Sequence, residues 1–169
     1  MARPQFRLFL LTLVAVLALV GVTGAAAAPL TSASGTFTTT SATFNSTRSA
    51  DGNTIVDLSA TLAYTGTFNG TSTLHGHLIF HPNGSANFRD VEIFTGTVNG
   101  VPGTVTFNLT GTGRLGSTAG SFIYQGTQAI VSGTGELANL HGVLTQVGTV
   151  SDTAAGPFGT YTGEIHFGD

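Results

Sequence analysis

Cysteine, tryptophan and lysine are missing from this 169-residue chain, and charged residues of either sign make up only 8% of it. Without cysteine there is no disulfide framework and no thiolate zinc site. Without lysine, and with only five arginines, there is no basic patch to follow a nucleic-acid backbone, so no nucleic-acid partner is expected. The charge content falls far below the roughly 25% of ordinary globular proteins. Nucleophile and phosphate motifs are absent as well: the chain has no Gly-x-Ser-x-Gly and no P-loop. What remains is 24 Gly, 29 Thr and 12 Phe within a hydrophobic fraction of 41%. Thr, Val, Ile, Phe and Tyr are strand formers, and that much apolar surface argues against disorder. The composition is that of a small β domain.

The first residues read differently. Arg3 and Arg7 precede an apolar run from Leu8 to Val22, and Gly24-Ala25-Ala26-Ala27-Ala28-Pro29 follows. A basic start, an apolar stretch and a small-residue site describe a secretory signal peptide, with cleavage after Ala26 or Ala27. The run is shorter than the roughly 20 residues a membrane-spanning helix needs. The expected layout is a signal peptide over 1–27, a Thr/Ser-rich lead-in over 28–34 and one domain over 35–169. The mature protein is then secreted and keeps no stable membrane span. Removing 1–27 leaves three Arg against eight acids, a net charge of −5.

In the rest of the chain the alternation has a period of two, and no window sustains a helical period. Strands are expected at about 35–44, 54–68, 71–81, 85–98, 102–112, 119–131, 142–150 and 159–167. Asp51-Gly52-Asn53, Asn69-Gly70, Pro82-Asn83-Gly84, Asn99-Gly100 and Pro102-Gly103 read as turns. Eight strands joined by short hairpins predict an all-β fold, a single antiparallel eight-stranded β-barrel whose closure removes exposed edges. The alternation also assigns faces. Leu74, Leu78 and Phe80 point in with Val56, Leu58, Tyr64, Phe68, Val105, Phe107 and Leu109, while Thr73, His75, His77, Ile79 and His81 point out. For 85–98 two settings stay open. Either Phe88, Asp90, Glu92 and Phe94 face inward, or Arg89, Val91 and Ile93 do.

Three stretches taken together carry a resemblance. They are Phe68–Ser72 leading to Pro82–Phe88, Glu92–Gly100 continuing through Gly103–Phe107, and Ser132–Gly142, which is the most specific. In that order the chain resembles a bacterial family of small proteins of unknown function, grouped with the allene oxide cyclase-like and dirigent-like eight-stranded barrels. The resemblance implies the barrel over about 35–167 and a tendency to oligomerise. It carries over no catalytic residues and no cofactor.

The chemistry-bearing candidates are few. His75, His77 and His81 share one side of one strand, the arrangement a metal site on a sheet would use. Their outward setting makes surface or subunit contact the simpler role. Gly111-x-Gly113-x-x-Gly116 has the letters of a dinucleotide loop, but another strand follows it instead of the helix that loop requires. Asp90 and Glu92, if inward, place two carboxyls among aromatics, where burial favours the protonated acids that catalysis uses. Phe68, Phe80, Phe107, Phe122 and Tyr124 are the candidate lining of an interior ligand site. The leading expectation is a binding or structural barrel for a small apolar ligand or a protein partner. The alternative is a cyclase or isomerase built on an aromatic wall and Glu92. A dimer or trimer through the His-bearing face is also expected, since so little surface charge is available to keep copies apart.

Overall fold

The computed structural model describes residues 28–118, 121–151 and 158–168. The stretch read as a signal peptide, 1–27, lies outside these. Eight strands follow one another: β1 (Thr31–Ala50), β2 (Asn53–Gly66), β3 (Phe68–Phe80), β4 (Ser85–Val98), β5 (Val101–Leu115), β6 (Ser121–Gly135), β7 (Leu140–Ser151) and β8 (Phe158–Phe167). Each pairs antiparallel with the next, and β8 pairs back onto β1, so the sheet forms one closed barrel in chain order. This all-β ring is the architecture the alternation predicts.

The strand limits differ from the sequence reading at several places. β1 begins at Thr31, inside the segment read as lead-in, because Thr31–Thr38 supply the backbone partners that Phe158–Ile165 of β8 need to close the ring. Asn69 and Gly70 form no turn; they lie in β3, opposite Thr97 and Gly96. The reversal occurs three residues before Asn69, at Gly66, whose φ of 103° favours a residue without a Cβ. Pro102 and Gly103 lie within β5, opposite Thr97 and Gly96 of β4. The neighbouring Asn99 (φ 50°) and Gly100 (φ 86°) supply the two left-handed positions of that hairpin.

Glycine in this fold makes room for aromatic rings. A Cβ on Gly111 would stand 2.4 Å from Cζ of Phe88, one on Gly148 2.3 Å from the Tyr124 ring, and one on Gly113 2.2 Å from the Phe122 ring. Each ring therefore lies across the bare backbone of a neighbouring strand. Eight strands enclose an interior that side chains can just fill, and glycine opposite each ring is how this chain fits so many aromatics into it.

The two ends of the ring differ. At the end carrying the β2–β3, β4–β5 and β6–β7 reversals, Phe68, Phe94, Val98, Phe107 and Tyr161 are fully buried. Phe68 meets Phe94, Phe107 and Tyr161 edge-on at centroid distances of 5.4–5.7 Å, pairs worth about 0.5–1.5 kcal/mol each beyond area burial. Leu137, from the β6–β7 reversal, is also fully buried and closes this end. Tyr161 ties the seal to the backbone. Its hydroxyl accepts the Phe68 N–H at 2.9 Å and lies 3.0 Å from the Thr65 carbonyl, to which it donates.

The opposite end is looser. Leu58, Leu78, Phe80, Phe88, Phe122 and Tyr124 point inward there but are only partly buried. β1 contributes to the asymmetry. From Thr39 to Ala50 it pairs with β2 alone among the described residues, so the β1–β2 hairpin stands beyond the closed part of the ring.

Candidate ligand-binding site

The open question for β4 is settled by its partners. Phe88 stands opposite Leu78, Glu92 opposite Leu74 and Phe107, and Phe94 opposite Val105, so the Phe/acid face points inward. Arg89, Val91 and Ile93 are on the outer face and exposed. Glu92 has no solvent exposure and Asp90 retains 7%.

Glu92 sits in a polar cluster enclosed by the sealed aromatic half. Ser72 donates to its Oε1 at 2.5 Å, and Gln128 Nε2 donates to its Oε2 at 2.9 Å. The same Gln128 amide reaches the Tyr64 hydroxyl at 3.3 Å, and Gln146 donates to that hydroxyl at 2.9 Å. Burial raises the Glu92 pKa, with bonds from Ser72, Tyr64 and Gln128 pulling it back. Burial, and then the Glu92 charge, push the Tyr64 phenol well above its ordinary range. Glu92 is thus held by partners on β3 and β6 and braces the middle of the ring.

Asp90 is different. It lies one inward step nearer the open end, between Glu92 and Phe88, and Gly76 on β3 leaves space beside it. A Cβ at Gly76 would come within 2.8 Å of Asp90 Oδ1. That oxygen is buried and has no hydrogen-bond partner among the described residues. Burial first and the Glu92 charge second push the Asp90 carboxyl up to about 7, while the His77 backbone N–H draws it down. Around it the rings form a cup. Phe80 meets Phe122, and Phe88 meets Tyr124, each edge-on at 5.7 Å. Burial also raises the Tyr124 phenol, with Glu92 and then Asp90 adding to the effect.

Phe44 lies on the inward-facing side of the β1–β2 hairpin beyond this end. Register shifts between Thr39 and Ser41 and between Phe44 and Ser46 change which β1 residues face in, and Phe44 ends up opposite the inward Leu58. It is 71% exposed.

The sequence-predicted lining therefore divides. Phe80, Phe122 and Tyr124 are at the open end, while Phe68 and Phe107 are packed into the sealed half. Ser72, Gln128 and Gln146 were not singled out from the sequence, although the alternation of their strands places them inward. Phe44 gave no such signal, because the register shifts break the alternation that would have revealed it.

The histidines lie outside the ring. His75 Nδ1 is 3.0 Å from Ser59 Oγ, and His77 Nδ1 is hydrogen-bonded to Asp57 Oδ1 at 2.6 Å. His81 bridges Asn53 and Asn87 at 2.8 Å each. Bonds from Ser46 and then His77 hold the Asp57 carboxyl below its usual range. Each imidazole has its own partner on a neighbouring strand, and no group of metal-ligating side chains gathers among the described residues. Gly111, Gly113 and Gly116 fall at the end of β5 and just beyond it, with no helix after them among the described residues.

The sequence profile of a family described as "Protein of unknown function (DUF3224)" matches residues 33–158, three quarters of the chain. The chain belongs to the DUF3224 family. A crystal structure of a DUF3224 protein of unknown function from Shewanella oneidensis MR-1 is similar to it, with a TM-score of 0.56 and 19% identity. The likeness covers 83% of this chain and 99% of the other. At that identity it speaks for the shared fold. No curated protein matches the chain. For this DUF3224 protein the family relation supplies the architecture, and the reading of the site rests on its own residues.

Proposed function

We propose that this DUF3224 protein is a secreted, non-catalytic binding barrel of the allene oxide cyclase-like group, and that it holds a small, largely apolar ligand at its open end. The observation that carries the reading is the unequal treatment of its aromatics. Rings at one end are fully buried under Leu137, whereas Phe80, Phe88, Phe122 and Tyr124 converge at the other with surface still exposed. Concave apolar surface with a few polar groups at its base is the usual form of a small-molecule site. A cyclase or isomerase acting through Glu92 is the weaker reading, because that carboxyl has no exposed surface and is bonded to Ser72 and Gln128. Titration with the neutral dye N-phenyl-1-naphthylamine tests the reading. Saturable one-to-one fluorescence enhancement is expected, weakened at least tenfold by Phe122→Ala or Tyr124→Ala. Absence of saturable binding to the native protein overturns it.

A further inference from the structure

We infer that the cup at the open end selects a primary ammonium group carried on a small apolar body, the ammonium donating to Asp90 Oδ1 and the body lying against Phe88, Phe122 and Tyr124. The inference rests on the binding reading above and adds the chemistry of the ligand.

Three observations lead to it. First, Asp90 is more than nine-tenths buried, points into the ring just below the cup, and has one carboxyl oxygen without a partner among the described residues. Buried polar atoms in native folds are nearly always bonded, so this oxygen lacks a donor. Second, the interior is acidic and has no counter-charge. Asp90 and Glu92 both point inward, while Arg48, Arg89 and Arg114, the arginines among the described residues, are exposed. Third, the walls are aromatic faces and edges, and ring faces attract ammonium groups by about 0.5–2 kcal/mol, more as water is excluded.

A donor that also carries positive charge meets all three conditions together. A hydroxyl would supply the donor but no charge to set against the Asp90 carboxylate, and a hydrocarbon would supply neither. Burial and then the nearby Glu92 push the Asp90 acid up to about 7. An ammonium against Oδ1 favours the ionised form and opposes the effect of burial and of Glu92. Discrimination of this kind, between a ligand that satisfies a buried group and one that leaves it bare, is where polar sites gain most of their selectivity.

Three ligands of nearly equal size test it against the native protein by calorimetry or two-dimensional NMR: 2-phenylethylammonium, 2-phenylethanol and propylbenzene. The ammonium compound is expected to bind at least tenfold more tightly than either neutral one, with shifts centred on Gly76, Asp90 and Tyr124. In Asp90→Asn the preference disappears while the neutral compounds keep their affinity. If the alcohol or the hydrocarbon binds the native protein as tightly as the amine, the ammonium assignment is overturned and the cup remains. If none of the three binds while N-phenyl-1-naphthylamine does, the assignment again falls alone. If the dye fails too, the binding reading falls with it. The comparison on native protein decides the matter even if the Asn variant does not fold.

Discussion

Asp90→Asn turns the buried acid into a measurement of stability. The acid is raised from 3.8 to about 7, and at ~1.4 kcal/mol per unit a shift of about three units amounts to ~4 kcal/mol. Its sign follows from proton counting. Between those two values the unfolded chain has released the Asp90 proton and the folded protein still holds it. The native state therefore loses stability as pH rises from about 4 to about 7, and above that the deficit stays constant. Asparagine keeps the shape and cannot ionise, but its amide hydrogens meet few acceptors beside Gly76, at a cost of about 1–3 kcal/mol. The variant should be less stable than the native protein by about that amount at pH 4 and more stable by a similar amount at pH 8.5, with the two curves crossing between. Urea unfolding followed by circular dichroism at half-unit pH steps measures this. The two acids are coupled, so the difference between the curves reports Asp90 together with its effect on Glu92. A constant offset across the range would refute the burial argument for this residue.

Other outcomes follow from the same geometry. A methyl group on Gly111 would meet the Gln125 carbonyl at 2.2 Å and the Phe88 ring at 2.4 Å; Gly111→Ala should cost about 3 kcal/mol in a denaturant titration, and a neutral result would show that the ring does not lie across β5. Tyr161→Phe removes the group that binds the Phe68 N–H and the Thr65 carbonyl; a loss of about 1–3 kcal/mol is expected in thermal unfolding, with amide exchange at Phe68 rising first. N-terminal sequencing of exported material should begin at Ala27 or Ala28, and a start at Met1 would refute the signal peptide. Val91 and Ile93 are about half exposed and stand opposite His75 and Thr73 on the outer face. Light scattering should show a dimer or trimer of the mature protein at neutral pH; a monomer at micromolar concentration would remove the idea.

The alternation of β2, β3 and β5 made their inward faces legible, because side chains on a strand change sides at every residue and the apolar ones must share a side. Tyr64, Phe68, Leu74 and Phe107 all fall where that rule puts them. β4 was ambiguous for a physical reason: both of its faces carry apolar residues, so no local pattern could say whether Phe94 or Ile93 is inside. Its pairing with Leu74 and Phe107 decided that, and with it the burial of Asp90 and Glu92. Asn69-Gly70 and Pro102-Gly103 have the composition of turns, yet the paired strands extend through them, because ladder partners outweigh local preference.

The sequence by itself determined that this chain builds a sheet, and largely which side chains turn inward, since period-two patterning is a property of neighbouring residues. The tertiary structure decided which end of the ring is sealed. That depends on how far β1 runs beside β8, on Leu137 folding back over the core, and on the register shift between Thr39 and Ser41 that turns Phe44 to the inward side. These are relations between residues on different strands, from 14 positions apart (Phe44 and Leu58) to more than a hundred (Thr31 and Ile165), which alternation within one strand does not report.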